Sequence, residues 1–111
     1  MLSHDFILVD NIPPVIRYSN YDRATMTRIS DDFMLKYWNE VFGTVDVYAD
    51  YSGNLKHGLA YHGTSILTPP MSQKLLDKLL LVNEQGEDYC KLESILSMAT
   101  QAERYVIHFG I

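Results

Sequence analysis

The chain has 111 residues, 47% hydrophobic and 21% charged, with a net charge of −5. That length suits one domain with its own core and excludes two, and the balance of apolar and charged residues is that of a globular soluble chain, not a disordered one. Its nine Lys and Arg are dispersed, so no basic stripe exists to neutralise phosphates and nucleic acid is excluded as a partner.

No apolar run approaches the ~20 residues of a membrane span, and Met1 to Asp10 lacks the basic start and long apolar centre of a signal peptide. Cys90 is the single cysteine, which rules out an internal disulfide. Together these features predict a cytoplasmic protein with no membrane partner.

Asp5 to Asp10 reads as a short buried strand, closed by Pro13-Pro14, which forbid a helix and impose an extended exit. Val15 to Asn20 alternates weakly, with Val15 and Arg17 against Ile16 and Tyr18, and Asp22 to Ile29 reads either as a second strand or as an irregular lead-in. Ser30 is placed to cap a helix over about 31–42, with Asp31 and Asp32 in its first turn and Gly43 as its stop. Met34, Tyr37, Trp38 and Val41 recur at helical spacing, and Trp38 is expected to anchor the core.

Val45 to Tyr51 alternates in period two, as does Leu55 to His62, so a β-hairpin 45–51/55–62 is expected. A three-residue loop, Ser52 to Asn54, pairs Val47 with Leu59 and Asp50 with Lys56, an ion pair on the outer face. Thr68 then caps a helix over about 69–82 with Pro69 at its first position. A third helix is expected over about 87–103, with Cys90 as a small filler near the edge of its apolar stripe. Tyr105 to Phe109 is apolar on both faces and reads as a strand inside the sheet. The order predicts an α+β fold of two layers, a mainly antiparallel sheet with three helices on one face.

His57 and His62 stand five apart and point to opposite faces of a strand, so they do not share a metal ion. Ser65 lacks the second glycine of a nucleophile elbow. No catalytic set, metal or cofactor is therefore read from the residues. Tyr61-His62-Gly63-Thr64 resembles the His-Gly-Thr/Ser strand motif of the ADP-ribosyltransferase superfamily. The resemblance implies NAD as substrate, held by His62, Gly63 and Thr64, with a later Tyr and Glu completing the site; Tyr89, Glu93 and Glu103, the available residues, fall in a predicted helix.

The outer face of the hairpin offers the other candidate. Asp46, Tyr48 and Asp50, with Lys56 and His62 on the neighbouring strand, make an aromatic anchor in an acidic rim suited to a basic protein partner. The expected function is that of a small acidic, non-catalytic module of the inhibitor or immunity type. An NAD-using transferase, or a subunit that self-assembles through an uncovered edge strand into a homodimer, is the alternative.

Overall fold

The computed structural model describes residues 2–49, 53–82 and 84–111. Among these residues six strands form one antiparallel sheet: β1 (Ser3–Val9), β2 (Thr27–Ser30), β3 (Asp46–Tyr48), β4 (Leu55–His57), β5 (Thr64–Leu67) and β6 (Tyr105–Phe109). They stand in the order β2-β1-β6-β5-β3-β4. Three helices, α1 (Asp31–Lys36), α2 (Pro69–Leu79) and α3 (Glu87–Gln101), complete the two-layer α+β domain.

α1 and α2 begin where their capping chemistry dictates, whereas α3 starts after Gly86 without a side-chain cap. The hydroxyl of Ser30 accepts the Phe33 amide and also donates to Asp88 at 2.8 Å, which ties the start of α1 to the start of α3. Thr68 caps α2 and Pro69 opens it. The first helix is shorter than its apolar spacing suggests. After Lys36 the backbone passes through Tyr37 into a π-helical turn, Trp38–Phe42, which buries both Val41 and Phe42 before Gly43 ends it. That wider turn accommodates two adjacent core residues that a regular helix would splay over more of its circumference.

The strands sort their side chains by parity. Phe6 and Leu8 of β1, Val47 of β3, Leu67 of β5 and Val106 of β6 join Leu75, Leu79, Leu92 and Leu96 of the helices in the main core. Ile7, Ile107 and Phe109 face the other way and are covered by Ile12, Ile16, Tyr21 and Met26. Residues 11–26 thus act as an irregular lid on the sheet, built around two short 3-10 turns, Tyr18–Asn20 and Arg23–Thr25. Asp5, buried on this face, is satisfied by the Tyr18 hydroxyl at 2.7 Å and by Arg28 Nε at 3.2 Å. β6 lies between β1 and β5 with apolar residues on both faces, as its composition predicts.

The hairpin differs from its expected form. β3 pairs with β4 through Asp46↔His57, Val47↔Lys56 and Tyr48↔Leu55, a register displaced by three residues from the one with Val47 opposite Leu59. The second arm ends at His57 because Gly58 takes φ +89°, and its Cα lies so close to Gly43 that a side chain would meet the Gly43 backbone at 2.9 Å. Residues 58–63 then cross to the other side of β3, where Ile66 pairs with Tyr48. The alternation of Leu55 to His62 therefore belongs to two structures, an edge strand and a buried crossover.

Candidate functional site

Because the pairing sum changes from even to odd, the displaced register moves residues between faces. Lys56 sits opposite Val47, whose side chain enters the main core, so Lys56 stands on the helix side of the sheet and leaves the proposed site. Asp46 and Tyr48 hold the other face, joined there by His57 and Leu55. His57 Nδ1 donates to Asp46 Oδ1 at 2.9 Å, and Leu55 is 61% exposed. Asp50, with its predicted Lys56 pair, lies outside the described residues. Tyr48 lines a cleft of about 460 Å³ together with Asn11, Ile12, Ile66, Thr68 and Tyr105. The lid thus ends beside the hairpin and leaves an apolar opening with two tyrosines in its wall.

His62 belongs to a different neighbourhood. It occupies an exposed turn ahead of β5, with its ring edge-on to Tyr61 and Nδ1 3.4 Å from the Ile111 carbonyl. Of the motif His62-Gly63-Thr64, Thr64 alone lies in a strand. Tyr89 and Glu93 stand on α3 and Glu103 just beyond it, with Tyr89 buried in the main core. No strand-borne Tyr and Glu complete the motif from those positions.

Behind Tyr61 lies a network that periodicity did not reveal. His4 and His108 occupy inward positions of β1 and β6, both fully buried. They are diagonal neighbours across the β1–β6 ladder, since Phe6 is the direct partner of His108. His4 Nε2 lies 3.1 Å from Asp31 Oδ1, and the Tyr61 hydroxyl donates to the same oxygen at 2.7 Å. His108 Nδ1 lies 3.3 Å from Ser65 Oγ, which in turn accepts the Ala60 amide at 2.7 Å. Burial holds the His108 pKa down at about 3, reinforced by the neighbouring His4 and Lys56. Burial also lowers that of His4, against the opposing pull of Asp31.

With both rings neutral and Asp31 ionised, one set of tautomers satisfies every bond. Ser65 donates to His108, His108 Nε2–H donates to His4 Nδ1 at 2.9 Å, and His4 Nε2–H donates to Asp31. The chain runs in one direction from a serine to a carboxylate. It places a base against a hydroxyl, the arrangement of an activated nucleophile. Yet Ser65, His108 and His4 are each 0% exposed, and one lone pair of Ser65 is taken by Ala60. No substrate reaches that hydroxyl in this conformation, so the relay is a buried polar tie between β1, β5, β6, α1 and the crossover. The bond from Asp31 raises the Tyr61 pKa, with burial adding to it.

Trp38, half-buried, closes the outer end of the tie, with its ring edge-on to Tyr61 at 5.4 Å and 6.1 Å from His4. It anchors the border of the core, not its centre. Cys90, expected as a small filler, is exposed on α3. Among the described residues no group of three or more His, Cys, Asp and Glu is placed to hold a metal ion, and no helix is long and apolar enough to cross a membrane.

No family model matches this chain, and no curated protein or solved structure matches it either. The available signal for the buried tie was positional: two histidines, each on the inward parity of an otherwise apolar strand. Such a residue requires a buried polar partner, but sequence alone does not say that the two share one.

Proposed function

We propose that this chain is a non-catalytic module that binds another protein through the outer face of β3. One observation carries the reading: Tyr48 borders an apolar cleft of about 460 Å³ on a face that also presents Asp46 and the exposed Leu55. A tyrosine beside a preformed cleft is a favoured anchor, because it buries a large area while losing few rotamers. The net charge of −5 favours a partner of basic character, for which the acidic surface speeds encounter and disfavours wrong partners. Inhibitors that neutralise a basic protein belong to this class.

The test is retention on the immobilised chain, comparing wild type with the double variant Asp46→Ala/Tyr48→Ala, each checked for a native thermal transition. A basic protein held by wild type and released by the variant supports the reading. Equal retention by both overturns the assigned surface. Lys56→Ala serves as the control and is expected to retain the partner, since Lys56 stands on the opposite face.

The transferase reading keeps one supporting observation, that His62 is exposed at the rim of the Tyr61–Trp38 aromatic pair. Self-assembly keeps another, the three-residue edge strand β4, whose residues are all exposed.

A further inference from the structure

β1 extends three residues past the end of its partner. Ser3 to Phe6 pair with β2, whereas Ile7, Leu8 and Val9 pair with β6 only. The alternation of an antiparallel ladder identifies which backbone groups this leaves open. The Asp31 amide donates to the Leu2 carbonyl at 3.0 Å, so the even residues of β1 aim N–H and C=O toward β2. Leu8 is the next even residue beyond Phe6. In a longer β2 it would meet Thr25, but Thr25 belongs to the 3-10 turn Arg23–Thr25, and the Thr25 amide is bonded to Asp22 O. Both backbone groups of Leu8 are therefore left without a ladder partner on that side among the described residues.

The open edge faces a cleft of about 710 Å³, walled on the far side by Cys90, Lys91, Ser94, Ile95 and Met98 of α3. The lining is mainly apolar, with Met98 51% exposed. The charged side chains in it, Lys91 and Arg104, are both cationic. Lys91 is held loosely by Glu87 at 3.9 Å, and Arg104 engages Asp10 through Nε. A strand edge opposite a helix, with an apolar floor and cationic rims, matches an extended chain that adds to the sheet and carries negative charge.

We propose that the groove between β1 and α3 takes an extended acidic segment of a partner protein as an added strand. This surface is separate from the Tyr48 face and does not depend on it, so a chain using both would bridge two partners. Backbone bonds to Leu8 supply the register, the apolar wall takes every second side chain, and Lys91 and Arg104 select acidic residues over basic ones.

The probe is a fluorescent peptide alternating Val and Glu, titrated by anisotropy against the full chain. Saturable binding is expected, weakened at least about fivefold when the central amides are N-methylated. A Val/Lys peptide is expected to bind about tenfold more weakly or worse, and Lys91→Glu to reverse that preference. Ser94→Trp, a filled groove on an exposed helix position, abolishes binding while Tyr48→Ala leaves it unchanged. Equal affinity for the Val/Lys peptide, indifference to N-methylation, or no saturable binding by a folded wild type overturns the proposal. So does a dimer in sedimentation that Ser94→Trp dissociates, which assigns the groove to a second copy of the chain.

Discussion

His4 and His108 stack with their ring planes 11° apart and their centroids at 5.1 Å, joined by a hydrogen bond of 2.9 Å. Two imidazoles this close inside a core do not both carry charge. The folded pKa of His108 is depressed from 6.5 to about 3, and that of His4 is also lowered. A depressed histidine contributes stability that is complete above its unfolded value and is lost as pH falls through its folded value. The window for His108 therefore runs from pH 6.5 down to about 3. Urea unfolding across that window should lose about 1.4 kcal/mol per pH unit for each proton withheld. His108→Leu should unfold with a shallower pH slope, though from a lower starting stability. Parallel slopes in the two proteins would show that His108 is not held neutral.

Asp31 closes the other end of the tie. Asp31→Ala leaves His4 Nε2–H and the Tyr61 hydroxyl without their common acceptor, and should cost about 2–4 kcal/mol in denaturant unfolding. Asp31→Asn keeps a carbonyl oxygen for both donors and should cost clearly less. Equal losses would mean that the carboxylate's charge matters and its acceptor geometry does not.

Two glycines separate backbone crowding from backbone conformation. A Cβ at Gly110 would collide with the Tyr61 carbonyl oxygen and stand 2.5 Å from that of Ala60. Neither is a flexible side chain that could move aside. Gly110→Ala should cost about 3 kcal/mol or more, or prevent folding. A Cβ at Gly53 would meet nothing within 4 Å among the described residues and has only a φ of +86° to maintain, so Gly53→Ala should cost about 1 kcal/mol. Thermal unfolding of the pair checks the ranking.

The hydroxyl of Ser72, fully buried on α2, finds no hydrogen-bond partner among the described residues. Ser72→Ala removes that orphan and inserts a better helix former. Stability should rise by about 0.5–1 kcal/mol. A loss on urea titration would reveal a partner for the hydroxyl.

For a binding module, millimolar NAD should leave the melting temperature unchanged. A cofactor site filled to 100 times its dissociation constant would add about 2.7 kcal/mol. A rise that His62→Ala removes would revive the transferase reading of His62, Gly63 and Thr64.

The starts of α1 and α2 and the last strand were legible because each has local punctuation: Ser30 and Thr68 as caps, Pro69 at a helix start, apolar residues on both faces of Tyr105–Phe109. The hairpin register was not. It depends on Gly58 being pressed against Gly43, a tertiary contact that ends β4 early and sends the next residues across β3. Since parity alone decides faces, that one contact moved Lys56 out of the surface and brought in Leu55 and His57. Residues 11–26 gave only a weak alternation because they cover Ile7, Ile107 and Phe109 as a lid without ladder bonds. The buried tie was invisible for a related reason: its members come from five separate segments, and no spacing along the chain encodes their meeting.

The most direct measurement is amide hydrogen exchange on this chain, alone and bound to the basic protein it retains. Binding through the outer face of β3 predicts new protection at Asn11, Ile12, Tyr48, Leu55 and Tyr105, with none at Lys91, Ser94 and Met98. Unchanged exchange around Tyr48 in a saturated complex would contradict the assignment of that face.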